Sequence, residues 1–206
     1  MQRLIKGLIL SLGLAVCLVG SPAFAQKYEV HPYAGGAWMT DYQNVLDFKN
    51  PGIFGVKGGG FVTDNFELEG NVGYMNQFNM RGYNYRSHAY LYEFAVNYNM
   101  WKARAGRVYP FVSAGVGGTT VDTENFSNPA NQNAAIYLRP SASPLVLEDG
   151  DTFFNFSYGG GVKGSRLWGP VGLRADIRGR TMPNFFGEHI HSFEATGGLL
   201  FSWGER

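Results

Sequence analysis

Several groups of residues have the types and spacing to do chemistry. Glu188, His189, His191 and Ser192 bring acid, base and nucleophile types into one short run, as a Ser/His hydrolase or a metal site would. A nucleophile needs its base within hydrogen-bond reach, yet consecutive residues such as His191 and Ser192 point to opposite faces of an extended chain. The two histidines also lack an evident third ligand for a metal. Gly159, Gly161 and Gly164 fit G-x-G-x-x-G, but a dinucleotide fingerprint must open a helix, and here a Trp168-Gly169-Pro170 turn follows. Asn125-Phe126-Ser127 matches a glycosylation sequon, a three-residue pattern that carries little weight alone. The remaining group is the stretch VGLRADIRGR, residues 171–180. There Arg174, Asp176, Arg178 and Arg180 alternate with Val171, Leu173, Ala175 and Ile177. Period-two spacing of this kind marks a β-strand with one ionic and one apolar face, and the chemistry it offers is charge pairing. Which face meets water must be decided by the rest of the chain.

The ends and the composition narrow the choice. Arg3 and Lys6 precede an apolar run from Leu8 to Val19, followed by Pro22 and Ala23-Phe24-Ala25, the order of a secretory signal peptide. Residues 1–25 are therefore expected to be removed, leaving residues 26–206 as one domain. The apolar run is shorter than the roughly 20 residues a spanning helix needs. Leu14-Ala15-Val16-Cys17 resembles a lipobox, but Val16 is not the small residue that processing requires. Removing Cys17 leaves no cysteine for a disulfide or a metal. Removing Arg3 and Lys6 from 17 basic residues leaves 15 against 16 acidic ones, which gives no electrostatic case for nucleic acid. Charged residues are 16% of the chain, against roughly 25% in soluble proteins, while aromatics reach 16% and glycines number 29. Such a surface suits lipid better than water.

Eight alternating segments supply the elements that must position the charges. They cover Tyr28 to Met39, Ile53 to Val62, Phe66 to Tyr74, Tyr90 to Met100, Tyr109 to Gly118, Phe153 to Gly164, Val171 to Arg180 and Phe193 to Phe201. An even number of segments of about ten residues matches a transmembrane β-barrel. Short connections at Thr63-Asp64-Asn65, WKARAGRV and SRLWGP are expected to alternate with long ones at residues 40–52, 75–84, 119–152 and 181–191. That sorting suits periplasmic turns at one end and outward loops at the other.

The polar positions of these segments form one set: Glu29, Lys57, Glu67, Glu69, Glu93, Lys163, Arg174, Asp176, Arg178 and Glu194, with His31 among them. A basic side chain at mid-depth in lipid costs about 2–4 kcal/mol, so these charges belong in the lumen, where they can pair. Aromatic residues gather at segment ends. Tyr28, Trp101, Tyr109, Trp168 and Trp203 lie toward the short turns, and Trp38, Phe54, Tyr74 and Phe154 toward the long loops. Two interfacial girdles are expected from this placement.

The segments NFELEGNVGYM, YPFVSAGVGG, FSYGGGVKGSRLWGPVGLRADIRGR and FEATGGLLFSW resemble the strands of the OmpA-like outer-membrane β-barrel domain family, in order and spacing, across almost the whole mature chain. The resemblance implies an all-β, eight-stranded, antiparallel, up-and-down transmembrane β-barrel in the outer membrane. A C-terminal aromatic residue read by the insertion machinery is common in such barrels, whereas here Gly204-Glu205-Arg206 follows Trp203. The expected role is structural or surface-interacting, non-enzymatic and without a cofactor. The expected partners are outer-membrane lipid, the barrel insertion machinery and periplasmic chaperones during assembly, and an extracellular ligand through the loop 119–152. A narrow solute channel and a lipid A-modifying enzyme are the competing readings.

Overall fold

The computed structural model describes residues 27–40, 49–78, 87–101, 107–123, 150–185 and 188–204. The expected signal peptide and the sequon at Asn125 lie outside them. Eight strands form, β1 (Lys27–Met39), β2 (Gly52–Phe61), β3 (Phe66–Met75), β4 (Ser87–Asn99), β5 (Arg107–Thr123), β6 (Thr152–Trp168), β7 (Val171–Phe185) and β8 (Glu188–Gly204). Each pairs antiparallel with its sequence neighbour, and β1 pairs with β8 to close the barrel. Closure leaves the sheet without an open edge, the condition for placing it in hydrocarbon.

Alternation sets the two faces. Along β3, Glu67, Glu69 and Asn71 are buried while Phe66, Leu68 and Val72 are exposed. Along β7, Arg174, Asp176, Arg178 and Arg180 are buried while Leu173 and Ile177 are exposed. The inside is thus polar and the outside apolar, the inverse of a soluble barrel. Gly159 and Gly161 on β6 make this possible next to β7. A Cβ at either would run into the carbonyl oxygen of Ile177 or Ala175, so only glycine allows the two strands to approach this closely.

Three expectations about the elements need correction. The segment 181–191 is not a long loop: β7 continues to Phe185 and β8 begins at Glu188, with Thr181 opposite His191 and Met182 opposite Ile190. Its polar and proline residues hide a ladder held from inside, where Met182, Phe185 and Ile190 are buried together. SRLWGP is mostly strand, because β6 runs to Trp168 through a register shift after Gly164, and only Gly169 (φ 62°) and Pro170 make the turn. Tyr109 is not in a girdle. It is 1% exposed and points into the lumen, since its face is that of Phe111 and Ser113, while Val108 takes the outward position.

Candidate functional site in the barrel lumen

Among the described residues, parity on seven of the strands brings twelve charged side chains into the lumen. Six are basic (Lys27, Lys57, Lys163, Arg174, Arg178 and Arg180) and six are acidic (Glu29, Glu67, Glu69, Glu93, Asp176 and Glu194), so the buried formal charge sums to zero. All ten residues named from the sequence are buried here, joined by Lys27 and Arg180. Arg180 was within reach of the same reasoning, since it shares the parity of Arg178. Lys27 lies at the very start of β1, where the alternation had barely begun.

The charges form two groups with one bridge. At the turn end, Lys27 Nζ lies 2.9 Å from Glu29, and Lys163 Nζ pairs with Glu29 at 3.1 Å and with Glu67. The Tyr109 hydroxyl, 2.7 Å from Ser165 Oγ, belongs to this group, and Ser165 donates to Glu29 at 3.0 Å. In the second group Arg174 pairs with Glu69 and, at 2.9 Å, with Asp176, which also accepts from Lys57 at 3.0 Å. Arg178 pairs with Glu69 at 3.0 Å and with Glu93. Arg180 holds Glu93 at 2.7 Å and Glu194 at 2.8 Å, and donates to Asn155 Oδ1 at 2.7 Å. Asn97 Nδ2 joins the groups by donating to Glu67 at 3.3 Å and Glu69 at 3.0 Å. Each ion thus meets at least one counter-ion, which is the condition for burying it at tolerable cost.

Aromatic rings fill what the ions leave. Phe111 lies under the Arg174 guanidinium at 4.6 Å and the Lys163 ammonium at 5.0 Å, and Phe61 lies 4.4 Å from Lys27 Nζ. Cations over ring faces keep part of their stabilisation without water. Toward the long-loop end the filling becomes apolar: Ile53, Met75, Phe78, Ala89, Leu91, Val121, Phe153, Met182, Phe185 and Ile190 pack as one cluster. This cluster escaped sequence reasoning because near these strand ends the pattern inverts, the inward residues turning apolar while outward ones such as His88, Thr120, Thr181 and His191 turn polar.

Outside, the girdle residues face away from the lumen. Trp101, Trp168 and Trp203 are exposed at the turn end, with Tyr28 stacked on Trp203 at 6.4 Å between ring centres. Trp38 is exposed at the other end, where Tyr74 packs against Phe54 and Tyr90.

The residues that suggested catalysis are not brought together. His191 faces outward, with Nδ1 2.9 Å from the Thr181 hydroxyl, whereas the Ser192 side chain is buried on the inner face. Among the described residues no cluster of three or more His, Cys, Asp or Glu has the arrangement of a metal site. The three glycines of the apparent fingerprint lie in β6, and no helix follows.

Comparison with known proteins agrees with this geometry. The profile of the outer membrane protein beta-barrel domain family matches residues 11–193. No protein of curated function matches the chain in sequence. Among solved structures, the chain is similar to the N-terminal beta-barrel domain of Pseudomonas aeruginosa OprF, at 17% identity and a TM-score of 0.57, over 87% of this chain and 99% of that one. It is similar to Neisserial surface protein A at 12% identity and a TM-score of 0.61, over 84% and 96%. It is similar to the outer membrane protein OprG of Pseudomonas aeruginosa at 12% identity and a TM-score of 0.58, over 88% and 98%. At these identities the likeness is one of fold.

Proposed function

Because the chain belongs to the outer membrane protein beta-barrel domain family, and so to the outer membrane, we propose that it serves there as a structural and surface-interaction barrel with a closed lumen. The observation that carries this reading is the contact of Arg174 and Arg178 on β7 with Glu69 on β3. In an eight-stranded barrel these strands stand on opposite walls, so the side chains cross the full width of the interior. The ionic layer below and the apolar cluster above it leave the barrel as a filled post. Its outer surface meets lipid, its assembly engages the insertion machinery and periplasmic chaperones, and the residues between β5 and β6 supply the surface for an extracellular ligand.

Purified protein reconstituted into planar bilayers tests this. The expected record is free of stable openings. Regular openings of porin size would overturn the proposal in favour of a solute channel, and a change in lipid A mass on deleting the gene would overturn it in favour of a lipid-modifying enzyme.

A further inference from the structure

The closing seam of the barrel carries a defect and its repair. Tyr28 pairs with Trp203, Glu29 with Ser202 and Val30 with Phe201, and pairing resumes in the same register at Tyr33 and Gly198. His31 and Pro32 on β1, and Leu199 and Leu200 on β8, are skipped. The cause is chemical. The Ala37 amide donates across to Pro51 on the β2 side, whereas the Thr40 amide donates to His191 on the β8 side. Even-numbered positions of β1 therefore direct their backbone groups to β8, and position 32 should donate to the Leu199 carbonyl. Proline has no N–H to give. In hydrocarbon an orphaned carbonyl has no water to turn to. The His31 side chain instead lies with Nδ1 2.8 Å from the Leu199 oxygen. A carbonyl only accepts, so Nδ1 carries the proton and donates. The ring is 1% exposed, and its Nε2 lies 3.6 Å from Asp176 Oδ2.

We propose that His31 is a clasp that supplies the ladder bond Pro32 cannot make, and that it thereby holds the seam between the first and last strands together at this point. Before closure, Pro32 blunts the edge of β1 against promiscuous strand pairing. After closure, His31 meets the Leu199 carbonyl that Pro32 cannot serve.

The test is a cycle of full-length variants refolded in detergent micelles, with backbone amide exchange followed by nuclear magnetic resonance. His31→Leu should speed exchange about tenfold or more at Val30, Ala34, Gly197, Leu199 and Phe201, while Glu69 and Ala95 on the β3–β4 ladder stay unchanged. His31→Asn, whose amide nitrogen can take the place of Nδ1, should remain close to wild type. Pro32→Ala restores the backbone donor, so adding His31→Leu to it should change seam exchange by less than twofold. If His31→Leu does not fold, folding of the double variant supports the clasp, and its failure overturns it. Unchanged seam exchange in His31→Leu, or an equal loss with and without Pro32, would also overturn it, leaving His31 as packing beside Asp176.

Discussion

Arg174 shows what a single residue contributes to the lumen. It serves Glu69 across the barrel and Asp176 on its own strand, and its guanidinium covers Phe111. Replacing it with leucine takes a cation from each of two buried carboxylates, leaving Glu69 with Arg178 and Asp176 with Lys57. The expected loss is about 3–5 kcal/mol of unfolding free energy, read as a lower urea midpoint in lipid vesicles. An unchanged midpoint would mean that the side chain faces water. At this scale the sequence was readable wherever parity was unbroken: Glu67 and Glu69, or Arg174 and Arg178, reveal their face by their spacing alone. Tyr109 was misread because residue type was weighed above parity, an aromatic ring near a segment end being taken for a girdle residue. His31 could be placed inside, yet its role was illegible, since Leu199 lies across a seam between the two ends of the barrel and no local pattern links them.

Among the elements, β7 carries four of the twelve lumen charges on one face and an uninterrupted apolar row on the other. Depth on that outer row should set the cost of a charge. Ile177→Arg, at an exposed mid-strand position, is expected to cost about 2–4 kcal/mol, whereas Thr181→Arg, nearer the long-loop end, should cost about 1 kcal/mol or less. Equal costs measured in vesicles would contradict the assignment of this face to lipid. Strand existence and order were legible because alternation over about ten residues is hard to produce otherwise. Strand ends were not. Beyond Arg180 the inward residues are Met182 and Phe185 while Thr181, Asn184 and His191 face outward, so the ionic inner face that marked the strand is replaced by its inverse where β7 and β8 continue.

For the whole molecule, the balance of six positive and six negative buried groups among the described residues has a measurable signature. Buried pairs are screened far less than exposed ones, so raising sodium chloride about tenfold should leave the unfolding midpoint nearly unmoved. A steep salt dependence would place the network in contact with bulk solvent. Composition foretold the inversion of faces, since a chain so poor in charge had to concentrate its ions somewhere. It could not foretell the division of the lumen into an ionic and an apolar storey, which arises only when eight strand ends converge. At the upper storey the β5–β6 ladder extends one step beyond its strands, as the Val121 amide donates to Asp151 and the Gly150 amide donates back to Val121, both at 2.8 Å. This neck holds the ends of the intervening sequence together whatever its length, and doubling that length would add only about 0.6 kcal/mol to the cost of closure. An insertion between residues 124 and 149 is therefore expected to leave the unfolding midpoint of the barrel in lipid vesicles nearly where it was, so the barrel can serve as a fixed socket for inserts of different length.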